Sequence, residues 1–324
     1  MRLLTTLALV AALGLPGCGD GLPGQEPADA FWAADAQSEV AGGHQTSPVD
    51  GATPVPSPSR TAAPAPASRG IAPPTIAAAA VIVVDETSGA TLFAQNPREL
   101  LAQASLTKMA TAVVVLEHGR LDDVVTAAPD INRYLLDDSS TVGLLPGDVI
   151  SVRDLVYGLL LVSGNDAADA AALATAGSND AFVARMNGLA TRLGMGDTHF
   201  TDPHGLGGPG HYSSAQDLAL LSRHAMTFPE FREIVGTEEY LVKANRDLPL
   251  YNQNPLLNYT PGVDGIKTGY TESAGRTFSL SATRDNHRVY IVMLNAPLRT
   301  QDAIALLEWT FANHDWGSPG GPRE

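Results

Sequence analysis

The sequence predicts an α+β fold: an antiparallel sheet flanked by helices, with a helical subdomain inserted between its strands. Three observations point there. Strand-like runs lie near residues 79–93 and again at 263–294, helical periodicity fills much of the interval between them, and no internal repeat interrupts the pattern.

The first strand is Ala79 to Asp85, an apolar run (AAVIVVD) that ends at Glu86-Thr-Ser-Gly89; a second, Ala90 to Phe93, returns from that Gly-containing turn. Leu106, Met109, Ala110, Val113, Val114 and Leu116 recur at helical spacing and stop at Gly119. Val152, Leu155, Val156, Leu159 and Leu160 follow Ser151, and Asp154 three residues on completes a capping-box-like start. Further helices are predicted over Asp180 to Leu193, Ser214 to Met226 and roughly Thr300 to Ala312. Val263 to Thr268 follows the Pro261-Gly262 turn as a strand, and Thr277 to Thr283 and Val289 to Leu294 flank Arg284-Asp285-Asn286-His287 as a hairpin.

Ten of the 23 prolines lie between Pro23 and Pro74, in a stretch dense in Ala, Ser and Gly. Such a segment buries too little apolar surface to offset its ordering entropy, so residues 19–75 read as a disordered linker. About 240 residues then remain for one core, placed at 76–315, with a short tail at 316–324. The formal charge of −15, with only 20 Lys and Arg, excludes a phosphate-tracking nucleic-acid surface; acidity of this kind keeps an exported protein soluble.

Residues 1–18 carry Arg2, the apolar run Leu3 to Leu15, and Leu15-Pro16-Gly17-Cys18. That run is too short to span a bilayer and reads as an export signal. Cys18 is the only cysteine, which excludes an internal disulfide, and it sits where cleavage would fall.

Three short motifs carry the chemistry. Ser105-Leu-Thr-Lys108 puts a hydroxyl and an amine three residues apart on a helix, hence on one face, where a lysine kept neutral could take the serine proton. Burial and a neighbouring cation, for which Lys267 is the candidate, would both lower the Lys108 pKa. Ser163-Gly164-Asn165 sits between two apolar helical stretches, where a turn would aim a hydroxyl and an amide into a cleft. Lys267-Thr268-Gly269 ends a strand; Gly269 lets a peptide-like ligand approach that edge, and Thr268 and Lys267 offer a hydroxyl and a charge for a terminal carboxylate. Each motif has a plain structural alternative, as helix cap, solvated lysine or loop turn, and a Ser-x-x-Lys alone arises about once by chance in a chain of this length. The ordered set of three points to a serine acyl-enzyme.

Ala104-Ser-Leu-Thr-Lys-Met, Val162-Ser-Gly-Asn-Asp-Ala167, Asp202-Pro-His-Gly-Leu206, His211-Tyr-Ser-Ser-Ala-Gln-Asp217, Asp264-Gly-Ile-Lys-Thr-Gly269 and Ala274-Gly-Arg276, in that order across roughly residues 78–312, resemble the low-molecular-mass penicillin-binding proteins, serine-type D-alanyl-D-alanine carboxypeptidases of bacterial walls. The resemblance implies the penicillin-binding/β-lactamase-like transpeptidase fold. It implies Ser105 as acylated nucleophile, Lys108 as its base, and Ser163, Asn165 and Lys267 as the rest of the proton network. Thr268 and Gly269 would bind the ligand. The backbone N–H groups of Ser105 and Tyr270, where many relatives carry histidine, would form the oxyanion hole. Arg299 is the candidate for the substrate carboxylate. The implied partners are a peptidoglycan stem peptide ending in D-Ala-D-Ala, and β-lactams as covalent inhibitors; no metal or organic cofactor is implied. Leu15-Pro16-Gly17-Cys18 resembles a bacterial lipobox, which implies lipidation at Cys18 and an extracytoplasmic, membrane-tethered location. With the chain stopping at Glu324, neither the second β-rich domain nor the C-terminal amphipathic anchor of some relatives is expected.

Four other readings compete. A class A-type β-lactamase needs an added Glu for deacylation, and none occurs from His118 to Pro229. A metallopeptidase would use His199, His204 and His211 near Asp202, but no His-Glu-x-x-His pattern is present, so ordering of their loop is the favoured role. A β-lactam-sensing lipoprotein would acylate without efficient turnover. A DD-endopeptidase that cuts cross-links is chemically almost the same enzyme.

Overall fold

The computed structural model describes residues 63–128 and 139–316, all within the unit Ser59–Glu324. The export signal with Cys18, the linker up to residue 62 and the tail from residue 317 lie outside the described residues.

In chain order the elements are strands β1 (Ala67–Ser68), β2 (Ala80–Asp85) and β3 (Thr91–Gln95), then a 3₁₀ turn (Ala104–Leu106) running into helix α1 (Thr107–His118). The paired strands β4 (Val124–Thr126) and β5 (Val149–Ser151) precede helices α2 (Val152–Leu161), α3 (Asn165–Ala176), α4 (Asn179–Leu193), α5 (Ala215–Ala225) and α6 (Pro229–Val235). The hairpin β6 (Glu239–Lys243) and β7 (Asp247–Tyr251) follows. Strands β8 (Val263–Thr271), β9 (Gly275–Arg284) and β10 (His287–Leu294), helix α7 (Arg299–Asn313) and β11 (His314–Asp315) complete the described chain.

The main sheet is antiparallel throughout, in the order β3-β2-β10-β9-β8, so strands from both ends of the domain meet at its centre and β8 is left at an edge. Successive side chains of a strand point to opposite faces. Ile82 and Val84 therefore pack with Tyr290, Val292, and the Leu106, Met109 and Val113 stripe of α1, backed by Leu155 and Leu159 of α2. Val81 and Val83 face the other way, with Phe278, Leu280, Ile291 and Met293, under Ala303, Leu306 and Leu307 of α7. Helices cover both faces, which is why β2 and most of β10 read as unbroken apolar runs. The β9–β10 connection puts both Asp285 and Asn286 at positive φ, 49° and 63°, as a two-residue type I′ hairpin turn demands. At α2, Ser151 Oγ accepts from Asp154 N at 3.0 Å, the predicted capping pair.

The linker boundary drawn at residue 75 is too late. Ala67 and Ser68 pair with Asp315 and His314, Arg69 N donates to Asn313 O at 2.6 Å, Ile71 N donates to Asn313 Oδ1 at 2.7 Å, and Trp309 Nε1 donates to Ile71 O at 2.9 Å. A few residues on, the Asp302 carboxylate accepts from Ala77 N and Ala78 N at 3.0 and 3.2 Å. Trp316, placed in the tail, packs on Phe311 with ring centroids 5.2 Å apart. Composition measures what a segment can bury by itself, whereas this strap satisfies its backbone against α7. Strands β4 and β5, helix α6 and the β6–β7 hairpin are additional to the elements expected from the sequence; Tyr240 of that hairpin stacks on Tyr157 of α2 at 3.6 Å.

Candidate active site

Ser105 lies in the 3₁₀ turn that feeds α1, two residues before the α-helix proper. In a 3₁₀ turn residues three apart eclipse one another, and Lys108 Nζ comes to 3.2 Å from Ser105 Oγ. The turn is pinned by Thr107 Oγ1 donating to Ala104 O (2.8 Å) and by Thr277 Oγ1 of β9 donating to Gln103 O (3.1 Å). Among the described non-glycine residues with positive φ, only Ala104 (49°) and Ser163 (63°) are not Asn or Asp, and both border this site. Such strained backbone persists where the surrounding structure dictates it.

Lys108 is fully buried. Its amine has three polar neighbours: Asn165 Oδ1 at 2.6 Å, the His204 carbonyl at 2.6 Å and Ser105 Oγ at 3.2 Å. A neutral amine has two N–H donors and one lone pair. The two short bonds go to oxygens that can only accept, so both protons are held there and the lone pair is left for the Ser105 hydroxyl. Burial lowers the Lys108 pKa to about 7, against the charges of Asp202, Asp169 and Asp166, which hold it up. The lysine is thus poised to exist uncharged near neutrality.

Lys267 is also buried, and donates to Thr268 O at 2.9 Å. Burial, and then the charges of Lys108 and Arg299, press its pKa well below the ordinary value. Burial is the main cause of the low Lys108 pKa, and the two buried amines also repel one another when both are charged, a mutual effect that disfavours double protonation of the pair.

Between α2 and α3, Ser163 and Asn165 are both buried. The Asn165 N–H donates to Ser140 O at 2.9 Å, and Asp166 accepts from Val142 N, Gly143 N and Leu144 N at 2.9 to 3.0 Å. The start of α3 thereby ties the 139–144 segment beside the cleft, and sequence reasoning missed it. Its one available signal was the carboxylate directly after Asn165.

Opposite, β8 passes close to the serine turn. A Cβ at Gly269 would lie 3.0 Å from Ser105 N and closer still to Thr277 Oγ1, so only glycine fits. Arg299 Nη1 reaches Gly269 O (3.1 Å) and Thr277 O (3.5 Å) across the β8–β9 pair, so both carbonyls point into that seam. Peptide planarity then turns the Tyr270 N–H outward from the sheet edge, beside Ser105. Ser105, Ser163, Asn165, Thr268, Gly269, Tyr270 and Arg299 line one cleft of ≈ 590 Å³, with Lys108 and Lys267 buried outside this lining. Leu206, the last residue of the Asp202–Leu206 motif, also lines it, and Gln253, Ser139, Ser140, Thr271 and Glu272, which were not singled out by sequence, complete the lining.

The three histidines are engaged by their loop and by α1, with His204 Nδ1 accepting from Leu206 N at 3.2 Å. His211 Nδ1 accepts from Thr201 N at 3.0 Å, which leaves Nε2–H to donate to Thr107 Oγ1 at 2.8 Å in the neutral ring; burial lowers its pKa. His199 Nδ1 meets Gly210 O at 2.7 Å. Among the described residues no group of three or more His, Cys, Asp or Glu is arranged to hold a metal ion.

Substitution Gly269→Val tests the close approach. The added carbons collide with the backbone at Ser105, and acylation by benzylpenicillin is expected to slow by roughly 10²-fold or more. Stopped-flow or mass-spectrometric labelling rates near those of the unaltered protein would show that the strand edge can yield.

A serine whose neighbouring buried lysine presents a lone pair to it, set at the edge of a helix-covered antiparallel sheet, defines the penicillin-binding type of serine enzyme fold. The solved Streptomyces K15 DD-transpeptidase superimposes with a TM-score of 0.72 at 32% identity, covering 75% of this chain and 100% of that one. A penicillin-binding protein homologue from Mycobacterium tuberculosis gives 0.70 at 34% identity, covering 78% and 98%. Residues 67–298 match the family model described as D-alanyl-D-alanine carboxypeptidase. D-alanyl-D-alanine carboxypeptidase DacF of Bacillus subtilis is 33% identical over 247 residues (74% of this chain, 63% of that protein), and DacA of Haemophilus influenzae is 37% identical over 257 residues (76% and 65%). The chain therefore belongs to the D-alanyl-D-alanine carboxypeptidase family, and it spans about two thirds or less of the length of these two relatives.

Proposed function

We propose that this protein is a serine-type D-Ala-D-Ala carboxypeptidase acting on peptidoglycan stem peptides. The observation that carries the reading is the buried Lys108 amine, held by two acceptors with its remaining direction toward Ser105 Oγ. The Ser105 oxygen attacks the carbonyl carbon between the two D-alanines while its proton passes to Lys108. Negative charge collects on the carbonyl oxygen, which the Ser105 and Tyr270 N–H groups receive. The C–N bond then breaks, and the departing D-alanine amine takes a proton delivered through Lys108, Ser163 and Lys267. Water next attacks the Ser105 ester, losing its proton to the same network, and frees the shortened peptide with the serine restored.

We read Asn165, besides holding Lys108, as the partner of the substrate amide, and Thr268 of β8 together with Arg299 at the start of α7 as the groups that receive the terminal carboxylate. A β-lactam presents a strained amide to the same serine, so benzylpenicillin is read as a covalent inhibitor. DD-endopeptidase action on cross-links is the second reading, since it would use the same residues. For the N-terminal region we read Cys18 as a lipidation site and residues 19 to about 66 as the leash of an enzyme held at the outer face of the membrane. Cys18→Ser would then release the protein from the membrane fraction, and equal retention of both forms would refute the lipid.

The test of function incubates the purified protein with a tripeptide ending in D-Ala-D-Ala, with cross-linked muropeptides and with benzylpenicillin. Release of D-alanine from the tripeptide and a penicilloyl adduct on Ser105 are expected. Absence of both would end the proposal, and fast turnover of benzylpenicillin would move the protein to the β-lactamases.

A further inference from the structure

The carbonyl that holds Lys108 belongs to a peptide unit whose other end is bonded to a carboxylate. Asp202 Oδ1 accepts from His204 N at 2.9 Å and from Gly205 N at 2.5 Å. The His204 oxygen of the His204–Gly205 peptide accepts from Lys108 Nζ at 2.6 Å. In a trans peptide the C=O and N–H point in opposite directions, so this one unit stands between the Asp202 carboxylate and the lysine amine. A charge-assisted bond to the N–H polarises the peptide and strengthens its carbonyl as an acceptor.

The loop has little freedom to do otherwise. Gly205 has a φ of +95°, and a Cβ there would overlap the carbonyl oxygen of Ala104, beside the nucleophile. Thr111 Oγ1 of α1 donates to Pro203 O, and His211 of the same loop is bonded to Thr107. The 202–205 turn is therefore seated on the α1 residues that flank Lys108.

Other charged or titratable groups face Lys108 as well: Asp166 and Asp169 from α3, His204 and His211 from the loop, and Lys267 from β8. Their carboxylates are differently employed. Asp166 takes the N–H groups of Val142, Gly143, Leu144 and Ala167, and Asp169 takes Asn179 Nδ2 at 3.2 Å. Asp202 is the carboxylate bonded to the peptide that holds the lysine.

We propose that Asp202 is a positioning residue that fixes the direction and the charge state of the Lys108 amine through the His204–Gly205 peptide. This rests on the reading of Lys108 as the base for Ser105. Asp202 is itself ionised: burial raises its carboxyl pKa, but the hydrogen bond and charge of His204, with His211 and the Gly205 N–H, outweigh that and hold it below the usual carboxylate range. Its negative charge favours the protonated lysine. Removing that charge lowers the pKa of the base. A neutral base is needed for attack, so the acid limb of the acylation profile moves to lower pH.

The test compares the full chain with Asp202→Asn, which retains an oxygen acceptor for the two N–H groups and loses the charge. Benzylpenicillin acylation of Ser105 is followed by intact-mass spectrometry from about pH 5 to about pH 9, with melting curves to check folding. The unaltered protein should show an acid limb near pH 7. The variant should show the limb displaced downward by roughly one pH unit, so that below neutrality it retains a larger fraction of its own plateau rate. A folded variant whose limb stays in place, or moves upward, overturns the proposal. If Asp202→Asn fails to fold, Asp202→Ser is read in the same way. Failure of both to fold would reduce Asp202 to building the turn and would also overturn it. An unaltered protein that takes no adduct at any pH would instead bring down the reading of Lys108 and Ser105 on which the inference stands.

Discussion

On the proposed function, Ser105→Ala should abolish the penicilloyl adduct and lower D-alanine release by about 10⁴- to 10⁶-fold, the loss expected when an acyl-enzyme nucleophile is deleted while the rest of the site remains. The size follows from the division of labour in the cleft. In the proposed mechanism Lys108, Lys267 and the backbone donors at Ser105 and Tyr270 all serve an oxygen that forms and breaks a bond, and no arrangement of the remaining groups replaces that bond. Stability should barely change, within about 0.5 kcal/mol, because the Ser105 side chain lines the cleft and contributes nothing to either hydrophobic cluster. Intact-mass measurement with benzylpenicillin, alongside a D-alanine release assay, decides the matter. An alanine variant that still gains the mass of the drug would place the nucleophile elsewhere, with Ser163 the first residue to examine.

Lys108→Met should slow acylation by roughly 10²- to 10⁴-fold, since the methionine fills the space of the stem and offers no base. Lys108→Arg should do no better, because a guanidinium stays protonated throughout the working range. In the unaltered protein, activity should fall about tenfold for each pH unit below pH 7, as the base takes up its proton. The same residue leaves a mark on stability. Its folded-state pKa, about 7, lies below the ordinary lysine value of 10.5, so between those limits the unfolded chain binds more protons than the folded one. Stability therefore rises with pH across that window and is lost as pH falls toward neutrality. Lys108→Met removes this part of the slope, and denaturant titrations at several pH values would read it. An unchanged slope would mean that the lysine is solvated and charged in the native state, which would also remove its claim to be the base.

How far the site could be read in advance depended on how local each relation was. Ser105 and Lys108 are three residues apart, and any helical turn brings them together; the 3₁₀ turn found there serves as well as the α-helix expected. The hairpin at Asp285-Asn286 and the Ser151 cap were equally local. By contrast, the acceptors that direct Lys108 come from Asn165 and His204, 57 and 96 residues away. Their motifs stood out, but the sequence held no record of which atom would meet the amine. The repulsion between Lys108 and Lys267 could be anticipated from the sign of each charge, whereas the depth of burial that dominates the Lys108 pKa could not. The strap at 67–75 has the composition of a linker, while its partners, Trp309, Asn313, His314 and Asp315, lie more than 200 residues later.

The sequence by itself determined the α+β class, the order of the three motifs and the chemical identity of the groups they bring. Those depend on side-chain type and on spacings of a few residues, which the helix and strand periods translate directly into shared faces. Only the tertiary structure decided that the lysine lone pair is left for the serine, that the Tyr270 N–H faces outward from the sheet edge, and that one carboxylate reaches the base through a single peptide. Each of these is a direction set by packing between distant segments, and direction is a property that a linear order of residues does not carry.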